Sequence, residues 1–114
     1  MARNAEPPRI TGTERQVLTV LLRAGISKEL YGLELLDACD GLTRASIYTV
    51  LDRIEAKGLI ESRRESAPAS KVVPAPYRLP RRLFRITGHG QATLAADEAA
   101  RDAYARALSG LCGA

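Results

Sequence analysis

Apolar and polar positions along the chain alternate with a helical period in four stretches and with a period of two in a further pair. From Thr13 to Ala24 the spacing is helical, with Thr11 or Thr13 as candidate N-cap and Gly25 as the stop. Val17, Leu18, Val20, Leu21 and Leu22 span about 200° of this helix, wider than the roughly 100° stripe of a helix packed on one side. It is therefore expected to bury two faces, one of them against a partner chain. A second helix is predicted from about Ser27 or Tyr31 to Asp40, with Leu33, Leu36 and Cys39 inward and Glu34 and Asp37 outward. Gly41 closes it, Leu42 bridges, and Thr43 caps a third helix that ends at Gly58 and turns Ile47, Val50, Leu51 and Ile54 inward. So short a Gly-containing turn between two helices fits a helix-turn-helix.

Leu59 to Glu65 and Arg82 to Thr87 alternate as two short strands. Residues 66–81 between them hold Pro68, Pro74, Pro76 and Pro80, which suits a loop at the tip of a hairpin and neither a ladder nor a helix. The last helix runs from the candidate cap Thr87 to about Leu108 and is roughly 30 Å long. Its apolar content is mostly Ala (Ala92, Ala95, Ala96, Ala99, Ala100, Ala103, Ala107), with Leu94, Tyr104, Leu108 and Leu111. A small core cannot cover that length, so the helix is expected to pack against its copy in a second chain.

With 114 residues there is room for one domain. No apolar run reaches the roughly 18 residues of a membrane span. Cys39 and Cys112 lie far apart without a C-x-x-C spacing, and no signal peptide is evident, which favours a reduced, cytoplasmic protein with Cys39 as a small buried hydrophobe. The formal charge is +4 and favours a polyanionic partner. Its distribution says more. Residues 1–60 hold equal numbers of bases and acids, whereas residues 61–90 carry seven bases against Glu61 and Glu65, a net +5.

A basic hairpin directly after a helix-turn-helix describes a winged helix-turn-helix: mainly α with a small β-hairpin, built of three helices, a two-stranded wing and a long C-terminal helix. The expected boundaries are a flexible arm 1–12, a DNA-binding domain 13–87 with its wing at 59–87, a dimerisation helix 88–109 and a tail 110–114. In such a domain the third helix enters the major groove and the hairpin reaches phosphates. Candidate recognition-helix contacts are Thr43, Arg44, Ala45, Ser46, Tyr48, Thr49 and Arg53; hydroxyls can donate to phosphates or base edges, and Ala45 permits close approach. Asp52, on the same face, repels phosphate unless it accepts from cytosine or a neighbouring Arg neutralises it. Candidate wing contacts are Arg63, Arg64, Lys71, Arg78, Arg81 and Arg82. Candidate dimer contacts are Val17, Leu21, Leu94, Tyr104 and Leu108. The partners expected are double-stranded DNA and a second copy of the chain, with no membrane.

Three segments carry a resemblance. Tyr31-Gly32-Leu33-Glu34-Leu35, the run from Ala45 to Ile60, and Arg81-Arg82-Leu83-Phe84-Arg85-Ile86-Thr87-Gly88-His89-Gly90 resemble the PadR-like transcriptional regulators over roughly residues 15–108. The resemblance implies a homodimeric repressor dimerised by its terminal helices, a phosphate-contacting role for Tyr48 and a wing role for Arg81 and Arg82. Ala45 and Thr49 stand where many family members have Gly and Pro, so base preference does not transfer. Relatives that take up flat aromatic effectors do so between Trp-bearing dimer helices, and this chain has no Trp; a small-molecule effector stays open.

An enzyme is not expected. The single histidine, His89, sits in a Gly-His-Gly at a helix start, no Cys or second His stands at metal-ligand spacing, and no Gly-rich phosphate loop follows a strand. No cofactor or metal is expected. The competing class is a winged-helix protein-protein adaptor, for which the neutral recognition helix would be natural and the +5 wing would not.

Overall fold

A computed structural model describes residues 9–65 and 81–112, with side chains placed through Gly110. The element order is α1 (Gly12–Ala24), β1 (Leu30–Tyr31), α2 (Gly32–Ala38), α3 (Arg44–Ala56), β2 (Ile60–Arg64), β3 (Arg82–Ile86) and α4 (Gly88–Cys112). The predicted arm lies largely, and the proline-rich loop almost wholly, outside the described residues, together with Lys71 and Arg78.

Local chemistry explains the helix starts. Thr11, not Thr13, caps α1: its hydroxyl accepts from the Glu14 backbone N–H at 3.2 Å, while the Glu14 carboxylate accepts from the Thr11 N–H at 2.9 Å. This reciprocal pair satisfies donors that the first helical turn leaves without partners. Thr43 caps α3 in the same way, accepting from Ser46 N–H at 3.1 Å. At its other end Gly58 takes φ 78°, the left-handed conformation that lets the chain leave α3 directly for β2. Thr87 accepts from Gly90 N–H at 3.0 Å and donates to the Gly58 carbonyl at 2.7 Å, so the cap of α4 also ties that helix to the end of α3.

The sheet has three antiparallel strands in the order β1-β3-β2, with Leu30 opposite Phe84 and Ser62 opposite Phe84 on the other side. The hairpin was expected; β1 was not, because two residues carry no alternation to detect. It forms where the free edge of β3 meets the segment leading into α2. Phe84, on the central strand, is fully buried.

One core fills the space between helices and sheet: Val17, Leu18 and Leu21 of α1, Leu35 of α2, the stripe Ile47, Val50, Leu51 and Ile54 of α3, then Leu59, Ile60, Phe84, Ile86 and Leu94. Two expectations are corrected here. Within the single chain, α1 buries Glu14, Val17, Leu18 and Leu21, one stripe of about 100°, with Val20 partly buried beside it and Leu22 left exposed. In α2 it is Leu35 that is buried while Leu33 is exposed; the helix starts at Gly32, Leu36 packs partly buried against the core, and Cys39, just past the helix end, is buried as expected. Val17, Leu21 and Leu94 were expected at a dimer interface, yet all three are already covered within a single chain. Burial, with the neighbouring Asp40 carboxylate, pushes the Cys39 thiol above its ordinary value and keeps it protonated.

α4 continues past Leu108 to Cys112. Its first turns close the core, and Asp97 holds α1 through Arg15 at 2.7 Å. From Glu98 to Gly110 every residue is exposed, including Tyr104 and Leu108.

Candidate nucleic-acid interface

With Ile47, Val50, Leu51 and Ile54 inward, the outward arc of α3 runs from Arg44 and Tyr48 on one flank, through Ala45 and Asp52, to Thr49 and Arg53 on the other. The N-terminal half is open. Thr43, Arg44, Ala45, Tyr48 and Thr49 are exposed, and Ser46 is half-buried. Local hydrogen bonds orient the hydroxyls: Thr43 Oγ1 donates to Ser46 Oγ at 2.8 Å, which leaves the Ser46 proton to point away, and Thr49 Oγ1 donates to the Ala45 carbonyl at 3.2 Å, which leaves its lone pairs outward. Thr13, Leu42, Ala45, Ser46, Thr49, Val50 and Arg53 line an open cleft of about 350 Å³ along this flank. From the sequence Thr13 is a cap candidate and Leu42 a bridge, and neither is expected on this surface.

The C-terminal half of the same face is occupied by ion pairs. Arg53 Nε lies 3.4 Å from Glu14 Oε2, and Lys57 Nζ lies 2.9 Å from Glu14 Oε1 and 3.0 Å from the Arg9 carbonyl. Glu14 is buried. Burial alone would raise its pKa, but hydrogen bonds from Lys57 and the Thr11 N–H, with the charges of Lys57 and Arg53, hold it below the ordinary value. On the opposite flank Arg82 reaches across from β3 to Asp52 at 3.4 Å and to Glu55. Asp52 therefore has an Arg beside it, but one that it shares with Glu55.

The wing is less positive toward solvent than its sequence suggests. Arg63 grips Glu29 with two nitrogens at 2.6 and 2.7 Å, a fork that holds the Glu29 carboxyl below its ordinary range. Arg85 pairs with Glu61, directly opposite it in the ladder. The guanidinium groups of Arg44, Arg64 and Arg81 form no ion pair among the described residues, although the Arg81 backbone N–H donates to the Glu65 carboxylate at 3.4 Å. The Arg81 guanidinium sits 4.0 Å above the Tyr31 ring. Next to Tyr31, Gly32 is pressed against Tyr48: a methyl group there would stand 2.5 Å from the Tyr48 hydroxyl oxygen. Wing, start of α2 and recognition helix thus meet through Arg81, Tyr31, Gly32 and Tyr48, one or two residues from each of the three segments that carry the resemblance. Of the residues expected to touch nucleic acid, those from Thr43 to Thr49 and Arg64 lie open without ion pairs, and Arg81 is half-buried on the Tyr31 ring with no ion pair among the described residues. Arg53, Arg63 and Arg82 are held by carboxylates, because acids from α1, from the segment before β1 and from α3 fold onto them.

Among the described residues no group of three His, Cys, Asp or Glu could hold a metal ion, and no helix is long and apolar enough to cross a membrane.

Residues 17–96 match the sequence profile described as the transcriptional regulator PadR-like family. No curated protein matches. Among solved structures, the chain is similar to a PadR family transcription regulator from Clostridium difficile, with TM-score 0.65 and 19% identity over 88% of this chain and 97% of that one. It is similar to a PadR family transcriptional regulator from Eggerthella lenta, with TM-score 0.62 and 21% identity over 84% and 80%. A PadR-like transcriptional regulator from Bacillus cereus gives TM-score 0.59 and 23% identity over 89% and 91%.

Proposed function

The chain belongs to the PadR-like transcriptional regulator family, a family of DNA-binding winged-helix regulators, and on that premise we propose that it is a homodimeric repressor that reads DNA with the N-terminal half of α3. The observation that carries this reading is the division of the α3 face. Its C-terminal half is engaged by Glu14 and Arg82, whereas Thr43 to Thr49 present oriented hydroxyls, the small Ala45 and the unpaired Arg44. Ser46 and Thr49 then contribute to base choice, Tyr48 to a phosphate, and Arg44, Arg64 and Arg81 supply the charge that holds the backbone. Lys71 and Arg78, in the wing loop, add to the same attraction. Dimerisation through the exposed half of α4, around Tyr104 and Leu108, sets the spacing of two half-sites.

Gel shifts on a duplex recovered by binding-site selection test this. Affinity should fall by orders of magnitude between about 50 and 200 mM salt. Arg44→Ala and Arg81→Ala should each weaken binding and reduce the salt slope by roughly 0.9 for each phosphate no longer neutralised. Retained affinity and slope in the double variant would remove these side chains from the interface. Transcription in vitro from a promoter carrying the selected site should fall on addition of the protein; a rise would make it an activator.

A further inference from the structure

Arg82 opens β3, where the ladder sets it directly opposite Arg64. Like charges facing each other across a strand pair are unfavourable, and the two do not share the same surroundings. Arg82 turns away onto α3. Its Nε donates to Ser62 Oγ at 3.1 Å, Nη1 to Asp52 Oδ1 at 3.4 Å and Nη2 to Glu55 Oε1, while the guanidinium carbon lies 5.2 Å from the Phe84 ring centre. Ser62 in turn donates to the second Glu55 oxygen. All three guanidinium nitrogens are engaged, and one cation stands beside two carboxylates, so the patch as a whole repels phosphate.

We infer that Arg82, with Glu55, Asp52 and Ser62, is a positioning residue that fixes the angle of the wing on the recognition helix, and not a free phosphate contact. This rests on the DNA-binding role proposed above and names a determinant of its specificity. Three elements meet in the cluster: α3 through Asp52 and Glu55, β2 through Ser62 and β3 through Arg82. A planar fork suits that geometry, and a lysine, with one compact ammonium, does not reproduce it.

Electrostatics alone and the clamp predict opposite signs. Glu55→Gln removes a negative charge near a polyanion and loosens Arg82, so a simple phosphate contact would bind DNA more tightly. The clamp predicts that Glu55→Gln and the charge-conserving Arg82→Lys each weaken binding to the selected duplex, by roughly tenfold, and that the double variant is no weaker than either single one. The salt slope of Arg82→Lys should equal that of the parent protein. Tighter binding by Glu55→Gln, or a slope reduced by about 0.9 per protomer in Arg82→Ala, would overturn the inference. A thermal-unfolding cycle on the same variants without DNA separates the two claims. If the parent protein binds no duplex, the DNA role fails; non-additive unfolding effects of Glu55→Gln and Arg82→Lys still uphold the clamp, and additive ones overturn it.

Discussion

Glu14 shows what a single side chain contributes at a distance from its place in the chain. It is a first-turn residue of α1, and its carboxylate is buried against Lys57 and Arg53 of the recognition helix segment. Removing one partner of a buried pair is costly according to which charge stays behind. Lys57→Met leaves the buried carboxylate with only Arg53 nearby, at a cost of about 2–4 kcal/mol. Glu14→Gln leaves two cations that reach water, and about 1–2 kcal/mol is expected. The carboxyl is held below its ordinary value in the folded chain, so its contribution is complete above the unfolded value of about 4.3 and is lost as pH falls through the lower folded value. Between about pH 5 and pH 3 the melting temperature of the parent protein should therefore drop more steeply than that of Glu14→Gln; parallel profiles would show that Glu14 adds no pH-dependent stability. The cap position of Glu14 was within reach of sequence reasoning through Thr11 and the helical period. Its partner, far along the chain at Lys57, was not, because no local pattern links them.

Between elements, two glycines set how closely helices approach, and they differ in what they press against. A Cβ on Gly90 would stand 2.0 Å from the Leu59 carbonyl oxygen, part of the backbone between α3 and β2 that also accepts the Thr87 N–H at 3.0 Å. Backbone cannot swing aside, so Gly90→Ala must lift α4 from that junction. The three atoms nearest to a Cβ on Gly32 all belong to the Tyr48 side chain, which can rotate. Gly90→Ala should accordingly destabilise by about 3 kcal/mol or more and Gly32→Ala by about 1–2 kcal/mol. Adding Tyr48→Ala should recover part of the Gly32→Ala loss and none of the other. Equal losses in urea unfolding, or rescue of Gly90→Ala, would contradict this account. The helices themselves were legible from period and caps. The phase of α2 was not: Leu33, Leu35 and Leu36 allow more than one inward face within seven residues, and packing against α3 and the sheet selects Leu35.

At the scale of the whole molecule, the core belongs to one chain and ends where α4 leaves it at about Asp97. Val17, Leu21 and Leu94 are taken up by that core, whereas Tyr104 and Leu108 stand exposed on the free half of α4, where the proposed dimer would form. Light scattering should give about twice the 12.3 kDa chain mass, and deletion from Glu98 onward should yield a monomer that still unfolds cooperatively, since every residue from Glu98 to Gly110 lies outside the core. A truncated chain that stays dimeric would place the interface elsewhere. Hydrophobic period, capping residues and the charge excess of the hairpin were enough to define the helices, the wing and the class of partner, because each depends on neighbours within a few turns of chain. Which charges remain available to DNA was decided only by folding. Glu14, Glu29, Asp52 and Glu55 come from parts of the chain that balance to zero on paper, and in space they neutralise Arg53, Arg63 and Arg82. Coulomb attraction depends on distance in space and not on separation along the chain.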